Sequence, residues 1–496
     1  MTTVRTPFSR VFTLEDRAGP VAIPTYQGVA RAMGPSWSFG DTTPVREPDS
    51  TRYGAFKIVD SIRGEQGLPT LSLENRYAYT VSEFLRMGRR GCPLDVQVHM
   101  GVCQDPRDFN GGWDKVLVLE GASLVNWGTG EMGALEQGQD AVVNENIDFS
   151  ALDLYEIKRL LLRELATTEI ISEIVDVVIC DAVSCGACGI PSEGCDKVFA
   201  IDIGHPASPG LAAELIYSGD GGTTISETNI TSLPPNTAPS AIACVGIYLV
   251  VVSNADCSIH YAPIADILND AETWTETVVG LVCPAGAPND LFSLGSGFTW
   301  IVGQAGYVYF SSDITAGVSV QDAGVATTQN LNAIHGVDED NLVAVGVLNA
   351  VIHTIDGVNW TAVLGPAPGV TLNTVWMRST VEWFVGTATG RLYYTRDSGD
   401  NWTEKTFPGS GTGSVRDIVF ATPTVGYLAH NTVAPAGRVL RSIDGGSSWY
   451  VLPEGTGSIP TNDYVGALAA TGACPNVFFG GGLAANAIDG FFVKGS

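Results

Sequence analysis

Positive charge is scarce in this chain. Twenty-six Lys/Arg face 53 Asp/Glu across 496 residues, a net of −27, and such a surface repels DNA, RNA and anionic lipid instead of gripping them. Also missing is any run of about 18 apolar residues, which excludes a membrane-spanning helix. The opening MTTVRTPFSRVF has no apolar core of a secretion signal, so synthesis in a cytoplasm is expected. The six histidines (His99, His205, His260, His335, His353 and His430) form no HExxH pair, and no GxSxG elbow or GxxxxGK[ST] loop occurs. The chain is therefore expected to be no enzyme, with no catalytic residues, no cofactor and no metal.

What is abundant is glycine, 58 residues, with 26 prolines and only 16% charged residues. That balance favours short strands joined by tight turns. The length requires two or more domains.

From about residue 200 the chain repeats itself. Thr395-Arg-Asp397-Ser-Gly399-Asp-Asn-Trp402 matches Ser442-Ile-Asp444-Gly-Gly446-Ser-Ser-Trp449 position for position. Ser218-Gly-Asp220-Gly-Gly222 ends on Ile225 where the others have Trp, and Thr354-Ile-Asp356-Gly-Val-Asn-Trp360 is one residue short. Weaker copies sit at Ser311-Ser-Asp313 and Ala487-Ile-Asp489, with a degraded one expected between Tyr261 and Trp274. The aspartates from Asp313 to Asp489 are 43, 41, 47 and 45 residues apart, and Asp220 to Asp313 is two units, 93 residues. A period of 40 to 50 with short strands marks propeller blades, and seven turns predict seven blades over residues 197–496. In each turn the Asp and Ser/Thr side chains can bond backbone amides, Gly takes the positive φ, and the Trp can bury its ring between blades.

These turns resemble the Asp-box (BNR-type) repeat of sialidases, sortilin-like receptors and photosystem assembly factors. The resemblance implies a folding element away from any active centre. Residues 196–496 hold only 9 Lys/Arg against 26 Asp/Glu, and the six arginines (Arg378, Arg391, Arg396, Arg416, Arg438, Arg441) bring neither the sialidase signature nor the basic patch of a photosystem factor. Gly409-Ser-Gly-Thr-Gly413 reads as a blade loop, and Asp338-Glu-Asp340-Asn341 as a solvated turn with cation binding the lesser alternative.

Residues 1–196 read as a separate domain, a β-sandwich or barrel. Leu94-Asp-Val-Gln-Val-His-Met100 and Lys115-Val-Leu-Val-Leu-Glu120 alternate as strands do. Leu154, Ile157, Leu161 and Leu165 at 3-4-4 spacing predict one flanking helix from about Leu152 to Ile171, capped by Ser150. The Pro/Gly-rich first 50 residues suit an arm that docks on a neighbour. The order of Gly19-Pro20, Pro24-Thr-Tyr26, Leu71-Ser-Leu-Glu-Asn-Arg76, Gly91-Cys-Pro-Leu-Asp-Val-Gln-Val-His-Met-Gly-Val-Cys103 and Asp105-Pro-Arg-Asp-Phe109, followed by a Cys-rich exit, resembles the major tail tube proteins of long-tailed bacteriophages. That resemblance implies a virion protein of the tail, made in the host cytoplasm. Copies of itself would form hexameric rings stacked into a tube, with other tail proteins as partners and double-stranded DNA passing without specific binding. The propeller would then decorate the outside and contact a host-surface glycan or protein; the alternative is a carbohydrate- or receptor-binding adhesin of the tail tip. Residues 1–195 carry 17 Lys/Arg and 27 Asp/Glu, so DNA should slide past and not adhere.

Ten cysteines are present, and Cys180, Cys185, Cys188 and Cys195 crowd one stretch. Disulfides among them, a four-thiolate zinc site or free thiols all remain open, with three pairings available to four cysteines. Cys92 and Cys103 are too far apart to bond each other if residues 93–102 form one strand. The dispersed Cys244, Cys257, Cys283 and Cys474 are expected as buried small side chains.

Overall fold

The computed structural model divides into two compact units, Met1–Arg159 and Leu160–Ser496. In the first unit it describes nine strands. In the second it describes residues 162–495, except 166–172, 181–196, 204–212, 223, 235–236, 296, 433–436, 453–462, 472–475 and 483–489.

The strands of the first unit are β1 (Phe8–Leu14), β2 (Tyr26–Ser38), β3 (Thr43–Pro48), β4 (Phe56–Ile62), β5 (Thr70–Tyr77), β6 (Leu94–Gly101), β7 (Lys115–Thr129), β8 (Val143–Ser150) and β9 (Asp153–Lys158). Pairing runs β6-β1-β2-β5-β8-β7, and β6 pairs β7 as well, so the antiparallel circuit closes on itself. β9 continues the ladder of β8 along β7: Ser150 lies opposite Ser123 and Asp153 opposite Glu120. Only β3 and β4 stand outside the circuit, as a two-stranded hairpin between β2 and β5.

The flanking helix expected over 152–171 is not what forms. Asp153–Lys158 is β9, and Leu162–Glu164 is β10, which pairs with the last strand of the chain, Gly490–Gly495. Both segments find backbone partners on sheets from distant sequence, and such pairing outweighs a local helical stripe. Leu165, counted toward that stripe, is buried against Phe478 and Phe492, and its amide donates to the Phe492 carbonyl at 2.9 Å.

The second unit is a seven-bladed β-propeller, each blade a four-stranded antiparallel sheet. The innermost strands of blades 1 to 7 are Ile174–Cys180, Ala241–Val245, Pro288–Ser293, Leu331–Gly336, Leu372–Met377, Ser414–Phe420 and Tyr464–Thr471. Blade 1 thus begins well before residue 197, and the division between units falls at 159/160 instead of 196/197. The first unit consequently carries 16 Lys/Arg and 21 Asp/Glu; most of the negative excess belongs to the propeller.

Blade number and turn number agree for a different reason than the repeat suggests. Blades 1 to 6 each connect their third and fourth strands in sequence. Blade 7 takes β10 as its fourth strand, so the ring is closed by a segment that precedes blade 1. Asp489 lies outside the described residues, between the second and third strands of blade 7 in sequence, and is not the counterpart of the other turns. Apolar side chains fill the seams between blades, for example Trp383, Val385 and Leu372 beside Val343 and Val345.

The cysteines also pair differently. Cys180 is bridged to Cys244, joining the innermost strands of blades 1 and 2, with Cα atoms 5.7 Å apart. Cys257 is bridged to Cys283 at 5.9 Å. Cys244, Cys257 and Cys283 are therefore disulfide partners and not free buried thiols. Spacing in sequence could not show this, because blade stacking brings together residues 64 apart. Cys185, Cys188, Cys195, Cys92, Cys103 and Cys474 lie outside the described residues.

Candidate functional site: the axial channel

The repeat turns take their places on blades 1, 3, 4, 5 and 6. In blade 6, Ser442 Oγ donates to Asp444 at 2.8 Å, and the Gly446 amide donates to Ser442 Oγ at 2.8 Å. Asp444 also accepts the Ser448 amide at 2.8 Å. Blade 5 repeats this with Thr395, Asp397, Gly399 and Asn401, and blade 1 with Ser218, Asp220, Gly222 and Thr224. Gly399 and Gly446 have φ of 92° and 83°, where a side chain would be strained. Thr354 and Asp356 close the turn of blade 4, in which the Asn359 amide side chain and backbone hold the Asp356 carboxyl below its usual range. Asp313 caps a single helical turn in blade 3 through the Thr315 amide. Blade 2, where a degraded copy was expected, has a short helix Ile264–Ile267 instead. Trp360 and Trp402 each reach back to the outer strand of the preceding blade, donating to Gln321 Oε1 at 3.1 Å and the Leu364 carbonyl at 2.8 Å. The Trp449 indole donates within its own turn, to the Gly446 carbonyl. All these side chains are spent on the fold.

The arginines near these turns are occupied too. Arg378 donates twice to Glu382, at 2.9 and 2.7 Å, while Arg396 and Tyr394 share its other oxygen at 3.2 and 2.8 Å. Lys405 lies over the Tyr394 ring at 5.0 Å, and burial brings its ammonium down to about 8. Neither Arg378 nor Arg396 is left for a substrate carboxylate. Asp338 is likewise closed on its own turn by Asp340 and Asn341, and Gly409–Gly413 joins the outer strand of blade 5 to the inner strand of blade 6.

Among the described residues an open space lies on the propeller axis, a channel of about 270 Å³ lined by the inner strands of all seven blades. Two sets of hydrogen bonds ring it. Asp176 of blade 1 accepts its neighbour Val177 N and, across the seam, Ile242 N of blade 2 at 2.9 Å. Asp290 of blade 3 does the same with Leu291 N and Ile334 N of blade 4 at 2.8 Å. Asp417 of blade 6 accepts Ile418 N and Leu468 N of blade 7 at 2.8 Å, and Thr374 of blade 5 donates to it as well. The residues at the same register in the receiving blades are Ala241, Ala333 and Ala467. The carboxylates face only a narrow column of space, so burial raises all three, Asp290 to about 7 and Asp417 to about 6. Asp176 is raised well above its usual range, by burial first and then by the charges of Asp290 and Asp417.

One residue earlier along the inner strands of blades 3, 4 and 5 comes a run of collar amides. Asn289 donates to the Leu331 carbonyl at 2.6 Å, Asn332 to Leu372 at 2.8 Å and Asn373 to Val415 at 2.8 Å, each crossing to the next blade. Deeper in, Phe292, His335 and Trp376 from blades 3, 4 and 5 form a ladder, with ring centroids 4.9 and 3.9 Å apart. Burial pushes the His335 imidazole down to about 3. Sequence reasoning missed the whole channel. Its one trace is the pair Asn289-Asp290, echoed by Asn332-Ala333, Asn373-Thr374 and Arg416-Asp417 at blade spacing.

A second polar constellation lies between blades 1 and 2. His260, fully buried, has Ser232 Oγ 2.8 Å from Nδ1, Ser258 Oγ 2.6 Å from Nε2 and Asp256 3.5 Å from Nε2. Both ring nitrogens are satisfied, which is what a buried histidine in a seam requires. Among the described residues no group of three His, Cys, Asp or Glu side chains could hold a metal ion.

No protein-family model matches the chain, and no curated protein matches it. Solved structures do. A selenomethionine-substituted virginiamycin B lyase from Staphylococcus aureus superposes with a TM-score of 0.51 at 13% identity, covering 68% of this chain and 99% of that one. YCF48 from Cyanidioschyzon merolae gives 0.47 at 14% identity, covering 67% and 98%. RRP9 WD40 repeats give 0.48 at 11% identity, covering 67% and 96%. At these identities the likeness is one of fold, the seven-bladed propeller.

Proposed function

We propose that the chain is a self-assembling structural subunit of a phage-type tail. The first unit closes with copies of itself into stacked hexameric rings, and the propeller is displayed on the outside. The observation that carries this reading is the β3–β4 hairpin. Six strands pair in a closed circuit, and β9 adds to it along β7 with one outer edge unpaired among the described residues. The hairpin alone has both outer edges without a strand partner among the described residues. A two-stranded ribbon is at best marginally stable in water, so a 20-residue excursion from a closed barrel needs a surface to lie on. A neighbouring copy supplies one, repeated around a ring by a head-to-tail interface. The first unit as a whole has 16 Lys/Arg against 21 Asp/Glu, with no cationic excess to hold phosphates. The turn chemistry of blades 1, 4, 5 and 6 supports assigning the propeller to the Asp-box type, in which those residues are structural.

Negative-stain microscopy and sedimentation of the purified full chain test the proposal. Rings or tubes bearing peripheral knobs are expected, and replacing residues 43–62 by a short Gly/Ser linker should leave a monomer with the propeller intact. A wild-type chain that stays monomeric at high concentration overturns it. The second reading, a tail-tip adhesin, is favoured by the open axial channel. It would be supported by a propeller whose ligand binding is independent of any assembly.

A further inference from the structure

The run of collar amides in blades 3, 4 and 5 ends at blade 6, and there the missing bond is made by another residue. Blades 3, 4 and 5 each use an asparagine at the collar position to bond the next blade. At that position blade 6 has Arg416. The bond to blade 7 is made instead by Asn431, from the neighbouring strand Gly426–Asn431: its amide donates to the Val465 carbonyl at 3.0 Å and accepts the Val465 amide at 2.9 Å. Asn431 is itself buried. The seam is therefore complete without Arg416, whose side chain is exposed at the channel mouth and makes no hydrogen bond among the described residues. Glu173 is the carboxylate whose field it meets. Arg416 is also the only Lys or Arg among the residues lining the channel.

The propeller's few cations are gathered in the blades that carry Arg416, while the channel's own carboxylates, Asp176, Asp290 and Asp417, are engaged by backbone amides of the seams. Seven of the nine Lys/Arg in residues 196–496 fall between Arg378 and Arg441, so residues 372–451 hold seven cations against six Asp/Glu. At the level of Arg416 the amide oxygens of Asn332 and Asn373 are engaged by no donor among the described residues. Trp376 lies half-buried on the same wall. It is three residues deeper along the strands than the collar, about 10 Å. A guanidinium fork suits a carboxylate, amide oxygens suit hydroxyl donors, and an indole face suits the apolar side of a ring. The channel is at the small end of ligand pockets.

We infer that the channel mouth is a binding site for a small carboxylated saccharide of one or two sugar rings, with Arg416 holding the carboxylate and Asn332, Asn373 and Trp376 the ring. The inference deepens the reading of the propeller as the unit that meets a surface glycan. It fails or stands separately from assembly, because it is read by ligand binding and not by microscopy.

The test is calorimetric titration of the full chain with glucuronic acid, glucose and inorganic phosphate. Glucuronic acid should bind roughly tenfold or more tightly than glucose. Arg416→Gln should abolish that preference while leaving the thermal midpoint unchanged, since Asn431 keeps the seam. Asn431→Ala should do the reverse, lowering the midpoint and keeping the preference. Equal binding of glucose and glucuronic acid, a preference that survives Arg416→Gln, or phosphate binding at Arg416 more tightly than the uronic acid would each overturn the assignment.

Discussion

The propeller is fastened twice, once at its rim and once at its axis, and the two fastenings follow opposite rules. At the rim each turn is closed within about ten residues: Asp444 bonds Ser442 and Ser448. At the axis each carboxylate spans two blades, joining Asp176, Asp290 and Asp417 to amides 66, 44 and 51 residues away. Trp360 and Trp402 of the rim reach back to the preceding blade, and the aspartates of the axis reach forward to the next. A rim turn therefore makes one blade well formed, whereas an axial clamp makes two blades one body.

That difference can be broken most visibly at Asp417. Asp417→Ala removes the acceptor for two backbone amides and the Thr374 hydroxyl, at about 1–3 kcal/mol for each buried group left unsatisfied. Urea unfolding should show a loss of several kcal/mol, together with separate melting of the blades on either side of the seam. A single unchanged transition would mean that the clamp does not couple the blades.

The pH dependence sharpens the comparison. An unfolded Asp titrates near 3.9, while Asp290 titrates at about 7 and Asp417 at about 6 in the folded chain. The folded state holds these protons more tightly, so their contribution is fully present below about pH 4 and is lost as pH rises through 6 to 7. His335, lowered to about 3, works in the opposite direction, losing stability as pH falls below its unfolded value near 6.5. Arg416, Glu173 and the other two aspartates bear on the same channel. Asp290→Asn should thus gain on the wild type by several degrees of thermal midpoint between pH 5 and pH 8. A constant offset between the two across that range would refute the assignment of the proton to Asp290.

The smallest effect belongs to the rim. Asp397→Ala opens one largely exposed turn and should cost about 1 kcal/mol with no change in cooperativity, read from the same urea curves. A loss as large as that of Asp417→Ala would erase the distinction.

What could be read from the residues alone follows the same line. The turn motifs were legible because Asp, Gly and Trp at fixed offsets act on one another locally, and their period matched the blade spacing, although blade 2 carries a helix in place of the turn and Asp489 precedes a third strand instead of following one. The axial clamps were not, because Asp290 gives no sign in sequence that its second partner is Ile334. The Leu154, Ile157, Leu161 and Leu165 stripe misled for a related reason: a helical spacing is local, while β9 and β10 owe their state to β7 and to the end of the chain. The Cys180–Cys244 bridge likewise needed two blades to stack before the thiols could meet.

By itself, then, the sequence determined a strongly negative net charge, a repeat of short strands and the chemistry of each turn, all consequences of composition and near neighbours. Only the tertiary structure decided which strand closes the ring, which cysteines bond and where polar groups converge on the axis. Those depend on contacts between residues tens to hundreds of positions apart, which no local pattern encodes.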